Sequence, residues 1–460
     1  MQDLTTGSIT RHLLKTASFM LVTMIFQTLY FLIDLYWVGR LGKEAVAAVA
    51  IAGNLTFIVL AVSQMLGVGA TALVSHAAGG KDHARALRVF NQSQVLSLVV
   101  GVAFLVVGML LRGAYASELA ADATTAAMAR DYLTWFIPAM ALQFLIVTMG
   151  ATLRGTGNFK PGMIVGTASV IINMIFAPFL IFGWVTGAAF GVAGAAVSSL
   201  IAVVIATVWL GLYFIRPSAY LHFVPGDWKP DLAMWWQMLK IGLPAGAEFA
   251  LMAVYLFIVY AISRPFGAAA QAGFGIGLRI VQAGFMPVVA LGFSVAPVAG
   301  QNFGARLGDR VRQTFLVAAS LAVAVMAFWA VACYFGAGAM VRLFSDDPGV
   351  LGVGSEYLRI IAWSFVGSGI VFVSSSMFQA MGNTLPPLAA SFGRILLVAV
   401  PAIVMSRMPG FELRWIWYLS VGALVFQLVT VIVLLQREFR VRLAWPAAAA
   451  TPSSATAGTS

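Results

Sequence analysis

Charge is what this chain has least of. Only 9% of its 460 residues are Asp, Glu, Lys or Arg, against 61% that are hydrophobic, and the mean hydropathy is +0.95. Soluble domains carry about 25% charged residues. So few charges cannot cover a water-facing surface on a chain this long, which excludes a soluble globular protein, a disordered one and a secreted disulfide scaffold. Cysteine is nearly absent too: Cys333 stands alone inside an apolar run, so neither a disulfide framework nor a thiolate metal site is available. The four histidines, His12, His76, His83 and His222, are scattered without metal-ligand spacing. No G-x-x-x-x-G-K-[ST] phosphate loop occurs, and no strand precedes Gly273-Phe-Gly275-Ile-Gly277. No cofactor is expected, and no ATP hydrolysis by that route. A membrane enzyme would need a polar cluster in a long loop, but the longest, 216–240, offers only His222, Asp227 and Asp231.

What the sequence has in abundance is long apolar runs separated by short polar loops. Reading for stretches of about 20 apolar residues gives twelve spans: 14–39, 45–76, 86–111, 128–152, 161–184, 188–215, 240–263, 268–300, 313–343, 356–380, 386–406 and 415–436. The first is too long for a signal peptide and lacks a small-residue cleavage site, so none is expected. An even count puts both termini on one side. The net charge of +11 lies in the inter-helix loops, where it sets topology instead of marking nucleic acid as a partner. Sixteen of the 27 basic residues fall on the side of the termini and nine on the other, so both termini are expected in the cytoplasm of an inner-membrane protein.

The two halves overlay at a constant offset of 225 without gaps from Leu14 to Pro161. Lys15 meets Lys240, Gly42 meets Gly267, Gly79 meets Gly304 and Arg85 meets Arg310, and Gly157-Asn158-x-x-Pro161 meets Gly382-Asn383-x-x-Pro386. Six spans return the chain to its starting side, so the repeats are parallel. The fold class expected is an all-α integral membrane protein with twelve transmembrane helices, in two six-helix lobes related by a pseudo-two-fold along the membrane normal. The divisions are an N-lobe at 1–215, a linker at 216–239, a C-lobe at 240–445 and a disordered Ala/Ser/Thr/Pro-rich tail at 446–460. Within the linker, Pro230 to Lys240, with Trp235 and Trp236, reads as a short interfacial helix. Gly187-x-x-x-Gly191-x-x-Gly194 reads as close helix packing.

Four charged side chains lie inside apolar spans: Asp34, Glu248, Arg279 and Arg394. Each costs roughly 2.5–3.5 kcal/mol near mid-helix on insertion scales, and none meets a charge under the 225 offset, so their role differs between the lobes. Asp34 lies about five residues, or about 7–8 Å, from the outer end of its helix. Its alternatives are a proton carrier, since an acid away from water favours its neutral form, or a carboxylate ordering the outer loop. Glu248 and Arg279 are candidates for a buried pair on adjacent helices, structural or functional, and Arg394 for a cavity-facing or snorkelling cation. Uncharged polar residues in the spans include Tyr30, Asn54, Gln64, Gln143, Asn173, Ser198, Tyr260 and Gln282, although most such groups merely bond neighbouring helices.

Several landmarks resemble those of the multidrug and toxic compound extrusion (MATE) family. They are Asp34-Leu-Tyr-Trp-Val-Gly39 at the end of the first span, Leu153-Arg154-Gly155-Thr-Gly157-Asn158 after the fourth, Ile171-Ile172-Asn173 in the fifth, and Gly300-Gln301-Asn302-Phe303-Gly304-Ala305 ending the eighth. The resemblance covers roughly residues 10–440. It implies two bundles alternating access to a central cavity, exporting organic, often cationic, solutes in exchange for protons or sodium ions, with Asp34, Tyr30 and Asn173 near one another. A second acid that the family places four residues after that asparagine is Ala177 here, which favours H+ over Na+, since a hard cation wants several oxygen ligands. The partners expected are a small organic molecule and membrane lipid, without nucleic acid, and the chain is expected as a monomer. Two alternatives stay open: a flippase for a lipid-linked precursor, and a major-facilitator-type carrier, whose loop motif Gly304-Ala-Arg-Leu-Gly308-Asp309-Arg310 partly imitates.

Overall fold

The computed structural model describes residues 1–184, 187 and 189–445. Thirteen α-helices account for most of them: α1 (Ile9–Gly39), α2 (Lys43–Gly79), α3 (His83–Leu119), α4 (Ala123–Gly155), α5 (Lys160–Phe182), α6 (Gly191–Ile215), α7 (Leu232–Ser263), α8 (Ala268–Gly304), α9 (Gly308–Arg342), α10 (Pro348–Ile361), α11 (Phe365–Met381), α12 (Leu385–Met405) and α13 (Arg414–Arg442). A 3-10 turn, Ala362–Ser364, joins α10 to α11 into one span, so the described residues make twelve helices long and apolar enough to cross a membrane. This is a multi-pass membrane protein. Leu110, Phe257, Phe328 and Phe335 are each more than 70% exposed, an arrangement that water would penalise and lipid does not. Several of the scarce acids are spent on helix starts. Asp82, Asp122, Asp231 and Asp347 each accept a backbone N–H of the first turn that has no helical partner.

The repeat read in the sequence is built into the packing. In the first half α2 packs on α4, α5 on α6 and α1 on α5; in the second, α8 packs on α10 and α11, α12 on α13 and α7 on α12. The loops after α2 and α8 repeat as well. Lys81 and Arg306, 225 positions apart, are the only non-glycine residues with positive φ among those described, at 58° and 59°. Such a conformation is uncommon outside glycine, so its recurrence marks two copies of one turn.

The lobes touch along the half of each helix nearest the termini. A Cβ on Gly79 would lie 1.9 Å from the Gln301 carbonyl oxygen, and one on Gly304 would lie 2.1 Å from that of His76. These equivalent glycines let two backbones meet where no side chain fits. Gly242 of α7 approaches the Met65 carbonyl of α2 in the same way. Two hydrogen bonds cross at that level: His76 Nε2 to the Ala380 carbonyl at 2.6 Å, and Gln301 Nε2 to the Gly155 carbonyl at 3.0 Å. His76 corresponds to Gln301 and Gly155 to Ala380 under the offset of 225, so the seal is itself two-fold. The chain start threads across it. Gln2 N–H donates to the Thr156 carbonyl and Leu4 N–H to Gln301 Oε1, while Asn302 and Arg310 donate to the Leu4 carbonyl. The lobes are therefore closed on the side of the termini.

Two expectations need correction. Residues 230–240 are no separate interfacial helix: α7 starts at Leu232 and runs unbroken through Pro244. The linker before it is pinned to α3 by two buried amides. Asn91 bonds His222, Val224 and Trp228, while Gln92 bonds Asp227, Lys229, Asp231 and Trp235, so the chain meets α7 already fixed. In the glycine series only Gly194 packs closely, its Cβ position 2.7 Å from the Leu180 backbone. Gly187 in the loop and Gly191 at the first position of α6 have φ of 71° and 55°, and a Cβ on either would meet nothing within 4 Å. The tail from Pro446 lies outside the described residues.

Candidate functional site

Two polar centres lie within the membrane-spanning part, one in each lobe. The first gathers where α1, α5 and α6 converge. Tyr30 Oη meets Ser199 Oγ at 2.9 Å, and the buried Asn173 donates to Ser199 at 3.1 Å and to Ser198 at 3.3 Å. Each of these serines also donates back to the Ala195 carbonyl of its own helix. Asp34 is one turn beyond Tyr30 on α1. It joins no hydrogen bond of this cluster. Its Oδ1 is buried without any partner among the described residues, which is costly for an ionised carboxylate and leaves a vacant acceptor inside the lobe.

The second centre spans α7, α11, α12 and α13. Glu248 accepts a hydroxyl from Ser375 at 2.9 Å and another from Ser391 at 3.0 Å. Gln427 Nε2 donates to Ser391 Oγ at 3.0 Å, and Arg394 Nη1 donates to Gln427 Oε1 at 3.2 Å. Every link points its hydrogen toward Glu248, so a cation and an anion are joined through two neutral relays. The Arg394 guanidinium also stands 5.7 Å from the centroid of Tyr255, whose hydroxyl meets Ser420 at 2.9 Å. Tyr255 is the mate of Tyr30 under the offset of 225. Each tyrosine bonds a serine on the last helix of its own lobe.

These contacts sort the candidates. Tyr30, Asn173 and Ser198 come together, with Asp34 beside them; Glu248 and Arg394 share a network. The Glu248–Arg279 pair is not formed. Arg279 is exposed on α8, and the oxygens of Glu248 are taken by the two serines. Asn54 and Gln282 are exposed, and Gln143 is half-buried outside both centres. Sequence reasoning missed Ser199, Ser375, Ser391, Gln427 and Tyr255. The repeat carried a signal for Tyr255 alone; the others are small polar residues with no pattern to set them apart. Arg154, read as a loop cation, stands in the last turn of α4, half-buried, with its guanidinium 5.6 Å from the centroid of Phe293 across the lobe boundary. Among the described residues no group of three or more His, Cys, Asp or Glu is placed to hold a metal ion.

The chain matches the family model MatE over residues 20–179 and 244–404, one segment in each half. It is 26% identical over 403 residues to the probable multidrug resistance protein YoeA of Bacillus subtilis, covering 86% of this chain and 87% of that one. It is 28% identical over 368 residues to the multidrug export protein MepA of Staphylococcus haemolyticus, covering 79% and 80%. Its fold is similar to that of a multidrug resistance MATE family transporter of the MOP superfamily solved in an outward-facing conformation, with a TM-score of 0.88, 22% identity and coverage of 95% and 98%.

Proposed function

The chain belongs to the MatE family of transporters, which export small-molecule solutes and catalyse no reaction, and from that premise we propose that it is a proton-coupled antiporter for organic, often cationic, solutes. It works in the inner membrane with both termini in the cytoplasm, the side that holds most of the loop arginines and lysines. The lobes rock between the present state, sealed on the side of the termini, and its opposite. Uphill export draws on an ion gradient, of which 100 mV supplies about 2.3 kcal/mol per charge.

One observation carries the choice of group: the buried, unpartnered Oδ1 of Asp34. Protonated, Asp34 places no charge in the lobe as the protein changes state. Ionised, it attracts either a proton or a cationic solute, and the two compete. Glu248 is satisfied as an acceptor by two hydroxyls and needs no exchanging proton. The missing acid at Ala177 leaves the N-lobe centre with one carboxylate among neutral oxygens and amides, a poor set for sodium. The test is efflux of organic cations from proteoliposomes under a pH gradient and, separately, a sodium gradient. Efflux should follow the pH gradient, and Asp34→Asn should abolish the coupling; efflux driven by sodium alone, or undiminished in the variant, removes Asp34 as proton carrier.

A further inference from the structure

A small cavity of about 20 Å³ lies at the lobe boundary, lined by Gln64 and Thr71 of α2, Arg154 of α4, Phe293 and Ala296 of α8, and Gln379 of α11, among others. Arg154 and Gln379 are mates under the offset of 225, and so are Thr71 and Ala296. The cavity therefore sits on the pseudo-two-fold axis. Ser75, one turn beyond Thr71 toward the termini, already touches Gly300, so the cavity is the last open space before the lobes seal, about 6 Å above that contact at 1.5 Å per residue. Its polar lining is one cation, two carboxamides and the Thr71 hydroxyl, which donates to the Ala151 carbonyl at 3.0 Å. The Arg154 guanidinium forms no ion pair and no hydrogen bond among the described residues; the four ion pairs all lie elsewhere. It stands over the Phe293 ring. A guanidinium packed on a ring with its donors free, in a cavity that two carboxamides also line, is suited to receive a planar anion.

The geometry points to an anion subsite at the floor of the cleft, formed by Arg154 with Gln64 and Gln379, that takes an anionic group of carboxylate size. It rests on the reading of the cleft as the transport path, and it narrows the cargo to amphoteric molecules. The space holds a carboxylate head or a single inorganic anion but no organic body, so the rest of the molecule stays in the cleft above. Because its walls come from both lobes, an occupant ties them together in the present state and loses half its contacts in the opposite one.

The test is equilibrium binding by fluorescence polarisation to the full-length protein in detergent, with no gradient. The probes are a rhodamine methyl ester, a cation, and its free acid, a zwitterion, each with and without chloride. The wild type should bind the free acid about tenfold more tightly than the ester, as expected for a charge-assisted hydrogen bond. Arg154→Gln should erase the difference, and Arg154→Lys should keep part of it. Gln379→Glu, which leaves Arg154 in place but gives it an internal carboxylate, should erase it too, and serves if Arg154→Gln does not fold. If the occupant is an inorganic anion, ester binding depends on chloride in the wild type and not in Arg154→Gln. Equal binding of acid and ester without chloride dependence, or discrimination that survives in Arg154→Gln and Gln379→Glu, overturns the subsite. Neither result depends on Asp34 carrying a proton.

Discussion

Asp34 and Glu248 are both carboxyls inside membrane helices, and their surroundings assign them opposite work. Glu248 ends a chain of donors that begins at Arg394; removing any link strands the others in a low-dielectric interior, where an unpaired polar group is costly. Gln427→Leu should therefore lower stability by about 1–3 kcal/mol, the cost of leaving buried donors and acceptors unmet. Glu248→Gln and Arg394→Met should each destabilise, and the double variant should lose less than the sum of the two, because the second change removes a charge that the first has orphaned. Thermal unfolding in detergent reads all four proteins, and strict additivity would break the network assignment. Transport by Glu248→Gln should stay coupled to the pH gradient wherever the protein folds. The charges themselves were visible in the sequence as the four exceptions in apolar spans, and their cost alone marked them for a role. Their partners were not. Apolar flanks do not record which serine on another helix points at an acid, so the expected Glu248–Arg279 pair gave way to hydroxyls and a relay.

At the scale of helices, the seal between lobes depends on paired glycines and on the first residues of the chain. Gly79→Leu puts a side chain where the Gln301 carbonyl now sits, with 1.9 Å available even for its Cβ. The backbones must part, so the variant should populate the state open toward the termini, and Gly304→Leu should do the same from the other lobe. Added cysteines near position 75 should then react with a polar thiol reagent from that side in the variants and remain protected in the parent. The segment before α1 acts on the same equilibrium without steric force. Its backbone bonds both Thr156 and Gln301, so deleting residues 2–7 should loosen the seal while leaving every span intact, visible as raised labelling at the same position together with a lowered melting temperature, since buried Leu4 is lost and Gln301 and Asn302 each lose a partner. Helix number, order and approximate limits were legible because bilayer thickness forces long apolar runs. Helix ends were less so. The sequence expectation began the seventh span at 240 and set 230–240 apart as a short interfacial helix, yet an Asp231 cap and the amides of α3 start one continuous helix eight residues earlier, and such tertiary contacts leave no periodic trace.

For the molecule as a whole, orientation and state make one joint prediction. The excess of basic residues on the side of the termini predicts cytoplasmic termini, while the contacts put the seal on that same side, so the cleft is expected to open outward. Neither the charges nor the contacts alone would say which compartment reaches the cavity. Gln64 is half-buried and lines the upper wall of that cavity, above the seal. A Gln64→Cys variant tests both statements together once the buried Cys333 is changed to Ala, a swap that leaves no reactive thiol elsewhere. A membrane-impermeant thiol reagent added to intact cells should label position 64, and the same reagent added outside inverted vesicles, where it meets the cytoplasmic face, should label it only after Gly79→Leu shifts the state. A reporter fused after Leu443 fixes the side independently: fluorescent protein should mature there and alkaline phosphatase should stay inactive. If the reporter lies inside yet position 64 reacts only from the cytoplasm, the protein rests in the inward-open state in its membrane and the seal described here belongs to the other half of the cycle. If the reporter lies outside, the charge argument fails and the direction of transport must be reversed with it.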